Sequence, residues 1–348
     1  MITGEPFGPI ENISVGNAPD RIGHVYLKAL YREYTDSSFT VVKPKPRDWE
    51  HTGLLGPTIR AAVGDTIQVF FKNNARYPTS IHPHGVYYDK ASEGAPYQDG
   101  TSGADTEDDA VPPGGTHTYR WGVPDRAGPG PSDGNSIVWM YHSHVDEAGD
   151  VNAGLVGAMI IASRGALLDT GKIVGVDREF IMYFSVIDET RSPYLWDNVG
   201  RYVQDQAAVE LEIALAGLQA PETYKPCAKE TDPKLQALCL REGGFVESNH
   251  KHAINGYLWG NGPSVAMKVG ERVRWYMITL GSEVDIHTPH WHGETGTWMG
   301  MRTDMIELMP GSMKTLDMTP DAPGTWLLHC HVHDHIDAGM LTTFQVNA

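Results

Sequence analysis

Paired histidines are the residues of this sequence best placed to do chemistry. Ten of its sixteen histidines fall in four short clusters: His82 and His84; His142 and His144; His287, His290 and His292; and His329, His331 and His335. Residues two apart on a β-strand point to the same face, so each HxH pair offers two imidazoles to one side. Imidazole suits zinc, copper, iron and nickel. A zinc site closes with four ligands and would leave most of these histidines idle. The tail HCHVHDHIDAGM (329–340) narrows the choice. It supplies Cys330, then His335 five residues on, then Met340 five further. With His287 these make two imidazoles, a thiolate and a thioether, the donor set of a mononuclear blue-copper (type 1) centre. There the thiolate couples strongly to the metal and the weak axial methionine tunes its potential.

Cys330 sits between His329 and His331. On a strand those two point away from the cysteine face, where they can ligate a second metal centre. The backbone then becomes a short covalent conductor between the two.

The elements that must hold these clusters come in two copies. VGDTIQVFFKNN begins near residue 63, and His82, opening HPHG, follows Gly64 by eighteen residues. VGERVRWYMITL begins near residue 269, and His290, opening HWHG, follows Gly270 by twenty. A proline-glycine turn comes next in each half (112–124 and 310–320). Then come the strands IVWMYHSH (137–144) and TWLLHCH (325–331), and last the apolar strands GLVGAMIIAS (154–163) and GMLTTFQV (339–346). Short β-rich runs between turn signals, in a chain with 38 glycines and 23 prolines, predict an all-β fold of two tandem β-sandwiches. The first spans 1–165. The second spans 176–348, opens on the strand-like REFIMYFSVIDE, and carries a partly helical insertion at about 196–249. By the same alignment Thr79, Ser143 and Leu155 stand where the second half has His287, Cys330 and Met340, so only the second half can hold a blue-copper site.

Composition limits the partners. Lys plus Arg number 27 against 44 Asp plus Glu, a formal charge of −17, which argues against nucleic acid. No run approaches the roughly 20 apolar residues of a membrane span. Residues 1–14 lack a basic start and an apolar run, so they do not read as a signal peptide. Cys227 and Cys239, twelve apart, are expected to form a local disulfide, which implies an oxidising compartment, secreted or periplasmic. The acidic stretch SGADTEDDA (102–110) reads as a solvated loop. Six methionines between Met299 and Met318 read as core fillers, although thioethers also suit cuprous ion.

The four motifs HPH, HSH, HTPHWH and HCHVHDHIDAGM, in that order, resemble those of the multicopper oxidases. SEGAPYQDG, YHSHVDEAGDVNAGL, DREFIMYFSVIDE and HAINGYLWGNGP are similar to the ceruloplasmin-like branch. Two cupredoxin-type Greek-key sandwiches with blue copper only in the second resemble the two-domain, or small, laccases. The resemblance implies type 1 copper on His287, Cys330, His335 and Met340, type 2 copper on His82 and His290, and a type 3 pair on His84, His142, His144, His292, His329 and His331. That makes four coppers per protomer. It implies oxidation of donors one electron at a time and four-electron reduction of dioxygen to water. It also implies a head-to-tail homotrimer whose trinuclear clusters lie at subunit interfaces. Glu93 and Asp334 are the expected proton donors, and Tyr88 a redox-active neighbour of the cluster. Phenols and aromatic amines are the expected donors. Ferrous iron, near Glu283, Asp285, Glu294 or Asp337, and cuprous ion are the alternatives, and Met340 disfavours donors that demand a high potential. Two rivals remain, a copper nitrite reductase and a copper electron-transfer protein without turnover. The missing thiolate in the first half argues against the reductase. Metal stoichiometry and oxygen uptake test the carrier.

Overall fold

The computed structural model describes residues 13–16, 18–215 and 244–348. The first sandwich is built from β1 (Ile59–Ala62), β2 (Thr66–Lys72), β3 (His82–Pro83), β4 (Thr116–Gly122), β5 (Ser136–His142) and β6 (Val156–Ala162), with a short helix α1 (Glu147–Ala153) before β6. Its sheets run β1-β6-β5-β3 and β2-β4. Tyr119 and Trp121, two apart on β4, are fully buried in one cluster with Tyr141, Met159 and Ile161 of the facing sheet. The period-2 pattern thus produces a conventional sandwich core.

The second sandwich contains β7 (Arg178–Asp188), α2 (Leu195–Tyr202), α3 (Gln206–Leu215), α4 (Phe245–Ser248), β8 (His250–Ile254), β9 (Val265–Lys268), β10 (Val273–Ile278), β11 (Pro289–Trp291), β12 (Gly296–Trp298), β13 (Met301–Thr303), β14 (Met313–Met318), β15 (Gly324–Cys330), α5 (His333–Asp337) and β16 (Leu341–Asn347). Its sheets run β13-β12-β14-β10-β7-β8 and β11-β15-β16-β9. The expected helical insertion is present as α2, α3 and α4. Cys227 and Cys239 lie outside the described residues.

Every residue of β6 and β10 is buried. On β6, Met159 and Ile161 face their own sandwich core, whereas Ala158, Ile160 and Ala162 pack with Ile181, Tyr183, Tyr276 and Ile278 of the second sandwich. Strands apolar on both faces are what a layer between two others requires. Polar groups pin this contact. Arg274 on β10 is paired with Asp317 at 2.6 Å and donates to Ser136 Oγ (2.6 Å) and Asn135 Oδ1 (2.8 Å) of the first sandwich. The Ile181 N–H donates to His51 Nε2 at 3.2 Å.

Two sequence expectations are corrected. Met299, Met301, Met305 and Met309 are 54%, 58%, 41% and 52% exposed, so of the methionine run only Met318 is a buried core residue. Met313, at the start of β14, is half-buried against the core between the sandwiches; the four exposed ones fall on an edge strand and its flanking loops, where there is no core to fill. In the acidic loop, Asp108 is completely buried and accepts the Gly94 N–H at 2.7 Å, so the end of that stretch is a structural tie.

Candidate metal centres

Strand register brings the histidine pairs together in the same way twice. β3 pairs antiparallel with β5 so that His82 lies opposite His142, and β11 pairs with β15 so that His290 lies opposite His329. In the first sandwich the rings of His82, His84, His142 and His144 make contacts of 5.1–5.7 Å. In the second, His290, His292, His329 and His331 make contacts of 4.8–5.4 Å. Among the described residues no ring contact joins one set to the other. Each sandwich therefore presents its own four-histidine half-site.

Carbonyl oxygens fix which ring nitrogens are free. His82 Nδ1 meets the Glu93 carbonyl at 2.7 Å, His142 Nδ1 the Ser143 carbonyl at 3.0 Å, and His329 Nδ1 the Cys330 carbonyl at 2.8 Å. A carbonyl only accepts, so each Nδ1 carries the hydrogen and each Nε2 keeps its lone pair. The free Nε2 atoms of His142 and His329 face neighbouring rings: His84 Nε2 and His142 Nε2 are 3.1 Å apart, as are His292 Nε2 and His329 Nε2. Burial, helped by the neighbouring imidazoles, lowers His84 and His142 to about 4, so both are neutral at neutral pH. Converging neutral imidazole nitrogens fit a metal cation.

The mononuclear set is also assembled. Cys330 Sγ lies 3.5 Å from His335 Nδ1 and 3.9 Å from His287 Nδ1, and the two Nδ1 atoms are 3.1 Å apart. All three residues and Met340 are buried, His335 being 4% exposed and the others 0%. The Cys330 N–H donates to the Met340 carbonyl at 3.0 Å, which ties the axial residue to the strand end. Burial pushes the Cys330 thiol up, so its thiolate needs a cation beside it. His287 Nε2 contacts Asp285 Oδ1 at 3.2 Å, which leaves Nδ1 for the metal. The donor set fits copper.

The four carboxylates expected near an iron donor separate, and three residues with no expected role, Asp304, Glu147 and His252, lie against the rings. Asp285 is fully buried and anchors His287, so it is a positioning residue rather than a surface cation ligand. Glu294, likewise buried, accepts the Asp321 and Ala322 N–H groups. Glu283 and Asp337 are exposed. Asp304 lies 3.4 Å from His290, and Glu147 lies 3.7 Å from His144. His252 packs its ring 5.1 Å from that of His335, and its buried Nδ1 has no hydrogen-bond partner. Glu247 and Asp334 act electrostatically on it, the Glu247 carboxylate lying 3.6 Å from His250 Nδ1. A histidine two residues into β8, quoted above only for its likeness to relatives, was the available signal.

The expected proton donors separate. Glu93 joins His82 through its main-chain carbonyl, while its carboxylate pairs with Lys90 at 2.6 Å and accepts from Tyr97 at 3.1 Å. It lies close enough to act electrostatically on His82 and Tyr88. Tyr88 packs its ring 5.7 Å from His82. Asp334 is exposed on α5 and acts on Cys330, His335 and His252, which puts it at the mononuclear set and not among the HxH pairs.

In the first sandwich the Ser143 N–H donates to the Leu155 carbonyl at 3.1 Å, the counterpart of Cys330 and Met340. Ser143 Oγ instead donates to Asp150 at 2.5 Å. Thr79 occupies the place of His287 and pairs its backbone with Val111.

Comparison with known proteins agrees with this architecture. Two family models described as multicopper oxidase match residues 51–166 and 230–348. The chain is 40% identical to ferroxidase HEPHL1 of Mus musculus, over 99% of this chain and 27% of that protein. It is 39% identical to hephaestin of Homo sapiens (100% and 28%) and 38% identical to ceruloplasmin of Homo sapiens (96% and 28%). It thus spans about a quarter of the length of the curated relatives it matches. Among solved structures, a copper nitrite reductase from Nitrosomonas europaea superposes with a TM-score of 0.56 at 14% identity, covering 93% of this chain and 92% of that one. A multicopper oxidase superposes with a TM-score of 0.53 at 19% identity, covering 84% and 78%. With two cupredoxin-type domains, the histidine pairs and one buried thiol between two imidazoles, the chain belongs to the multicopper oxidase family.

Proposed function

We propose that this chain is a metallo-oxidase whose donor is ferrous iron and whose acceptor is dioxygen. The observation that carries the donor is the cover over the mononuclear set. His287 is fully buried and His335 only 4% exposed, so a phenol or aromatic amine finds almost no imidazole surface to touch. What covers His335 is His252, with an unpartnered buried Nδ1 and the carboxylates of Glu247 and Asp334 within electrostatic reach. Carboxylate oxygens and an imidazole suit a divalent iron ion. A relative named as a ferroxidase supports the same choice.

In this reading His287, Cys330, His335 and Met340 hold one copper, and the eight paired histidines hold three more. Bound copper supplies the one-electron couple at the first site and dioxygen binding and reduction at the second. The chain does the rest. Glu247, His252 and Asp334 seat the iron against His335. Asp285 and the Glu93, Ser143 and Cys330 carbonyls fix the imidazole tautomers. Cys330 joins the two sites through a single residue to His329 and His331. Glu93, beside His82 and Tyr88, is the proton donor. Asp334, at the iron side, is assigned to binding and not to proton delivery.

The two half-sites lie in separate sandwiches with no contact between them, which supports a head-to-tail homotrimer in which the first sandwich of one chain meets the second of the next. Light scattering should give three chains. Mixing a His84→Ala chain with a His292→Ala chain, each inactive alone, should restore oxygen uptake, because some mixed interfaces carry two intact halves. An active monomer would refute the ring.

The donor test is oxygen uptake on Fe2+ against 2,6-dimethoxyphenol. Glu247→Ala and His252→Ala should each lower kcat/KM for Fe2+ at least about tenfold and leave the blue thiolate band in place. A protein that oxidises the phenol more efficiently than Fe2+ would overturn the reading.

A further inference from the structure

β8 and the turn after it form a roof over the mononuclear set. At one end His252 covers His335. At the other, Trp259 lies over the chain just before the axial methionine. A methyl group added to Gly339 would stand 2.7–3.0 Å from carbons of the Trp259 ring, so the indole rests directly on that glycine. Two hydrogen bonds set the ring there: the Trp259 N–H donates to the Gly339 carbonyl at 2.8 Å, and the Gly260 N–H to the Leu341 carbonyl at 2.9 Å. Both residues have positive φ, 49° for Trp259 and 109° for Gly339. A bulky side chain seldom adopts that conformation, and it persists only where surrounding contacts demand it. Met340, next in the chain, is fully buried.

We propose that Trp259 is the specificity-determining residue of the mononuclear site, a shield that keeps organic donors off the Gly339–Met340 turn and leaves the His252 side as the route for a small metal ion. The inference rests on the iron reading for its substrate class. The geometry of the shield is independent of it. An indole offers a large rigid apolar face with little entropy to lose on packing, which makes it a good lid over a turn that carries no side chain at Gly339. In this proposal a hydrated ion approaches by His252, which covers His335, whereas an aromatic donor needing close contact with the Gly339–Met340 turn meets the indole that rests on Gly339.

The test has two readouts. In metal-free protein, hydrogen peroxide converts a thioether to a sulfoxide with release of water, and the rate follows exposure. Peptide mass spectrometry should find Met340 oxidised at least about fivefold faster in Trp259→Ala and Trp259→Gly than in the unsubstituted chain. Met301 and Met309, 58% and 52% exposed, serve as internal references and should not change. Glycine accepts a φ of 49° without strain, so Trp259→Gly guards against a simple folding failure. Trp259→Phe, which keeps a ring, should behave like the original. In the copper-loaded trimer, kcat/KM for 2,6-dimethoxyphenol should rise at least about tenfold in the Ala and Gly variants while that for Fe2+ stays within about twofold. An unchanged Met340 rate, or unchanged phenol turnover with Met340 exposed, overturns the proposal. So does a joint fall of both donors, which would make the indole an electron relay. Failure of the iron reading shows itself separately, as an unsubstituted protein that does not oxidise Fe2+ but still protects Met340.

Discussion

Removal of the Asp285 carboxylate isolates the part this chain plays in holding a metal ligand. Asp285 Oδ1 accepts the Val186 N–H at 2.7 Å and meets His287 Nε2 at 3.2 Å, while Oδ2 accepts the Ser282 N–H at 3.0 Å. The backbone wraps the carboxylate closely. Gly281 has φ 131°, and a Cβ there would stand 2.0 Å from Oδ2, so no other residue fits. In Asp285→Ala, exposed Ser282 finds water, but Val186 and His287 are buried and find nothing. A hydrogen bond to a charged group contributes about 1.5–3 kcal/mol, and a buried donor left unpaired costs about 1–3 kcal/mol. Together the loss is about 3–5 kcal/mol. Asp285→Asn keeps one acceptor oxygen for Val186 and His287 and turns its amide N–H toward the exposed end, so it should cost only about 1 kcal/mol. Urea unfolding of the metal-free variants, followed by tryptophan fluorescence, measures that gap. Freed from its tether, the His287 ring also becomes a poorer ligand, by about 10–100-fold in copper affinity, read by competition titration at the thiolate band. Equal unfolding midpoints for the Ala and Asn variants, with unchanged copper affinity, would refute the reasoning.

Three further outcomes are expected. His51 is buried between the sandwiches, and burial lowers it to about 4 from an ordinary 6.5. Above about pH 6.5 its stability contribution is complete, and as pH falls from 6.5 to 4 the unfolded chain takes up a proton that the folded one refuses, so stability is lost; the thermal midpoint should drop over that window more in the original than in His51→Gln, and parallel curves would count against it. Glu93→Gln should slow oxygen-limited turnover at least about tenfold, while anaerobic reduction of the blue band by Fe2+ keeps its rate; equal turnover would remove Glu93 as a proton donor. Ser143→Cys should give no second blue band on copper loading, because Asp150, Thr79 and Leu155 still surround that position in place of two imidazoles and a thioether; a doubled band intensity would contradict this.

What was legible in the sequence was the chemistry carried on strands. The HxH pairs, Cys330 between two histidines and the repeated strand pattern are local features. Two-residue periodicity converts them directly into faces, and the register of β3 with β5 and of β11 with β15 follows from it. What was hidden depends on tertiary contact. Asp285 precedes His287 by two residues, a spacing that hints at one face, yet its role rests on Val186 of a distant strand. His252 and Trp259 matter because β8 folds over α5, which no local pattern encodes. The methionine run misled for a physical reason: apolar composition predicts burial only where a second layer exists to pack against, and β13 is the edge of its sheet.

The two sandwiches show how little separates a metal centre from a structural hydrogen bond. The same main-chain bond closes both loops, Ser143 to Leu155 in one and Cys330 to Met340 in the other. In the first loop the strand-end side chain is a hydroxyl held by the buried Asp150, which completes its donors and acceptors within the protein. In the second it is a thiol facing two imidazole nitrogens, the donor set of a soft cation. A buried cluster of that kind is costly when empty, so the same arrangement that makes a site selective for a soft cation also makes it depend on one. Among the described residues that set occurs in one sandwich alone, covered by His252 and Trp259, whereas the histidine pairs recur in both. In the proposed ring the first site would be complete within one chain and the second divided between two, so turnover would follow assembly: a lone chain would accept an electron with nowhere to deliver it.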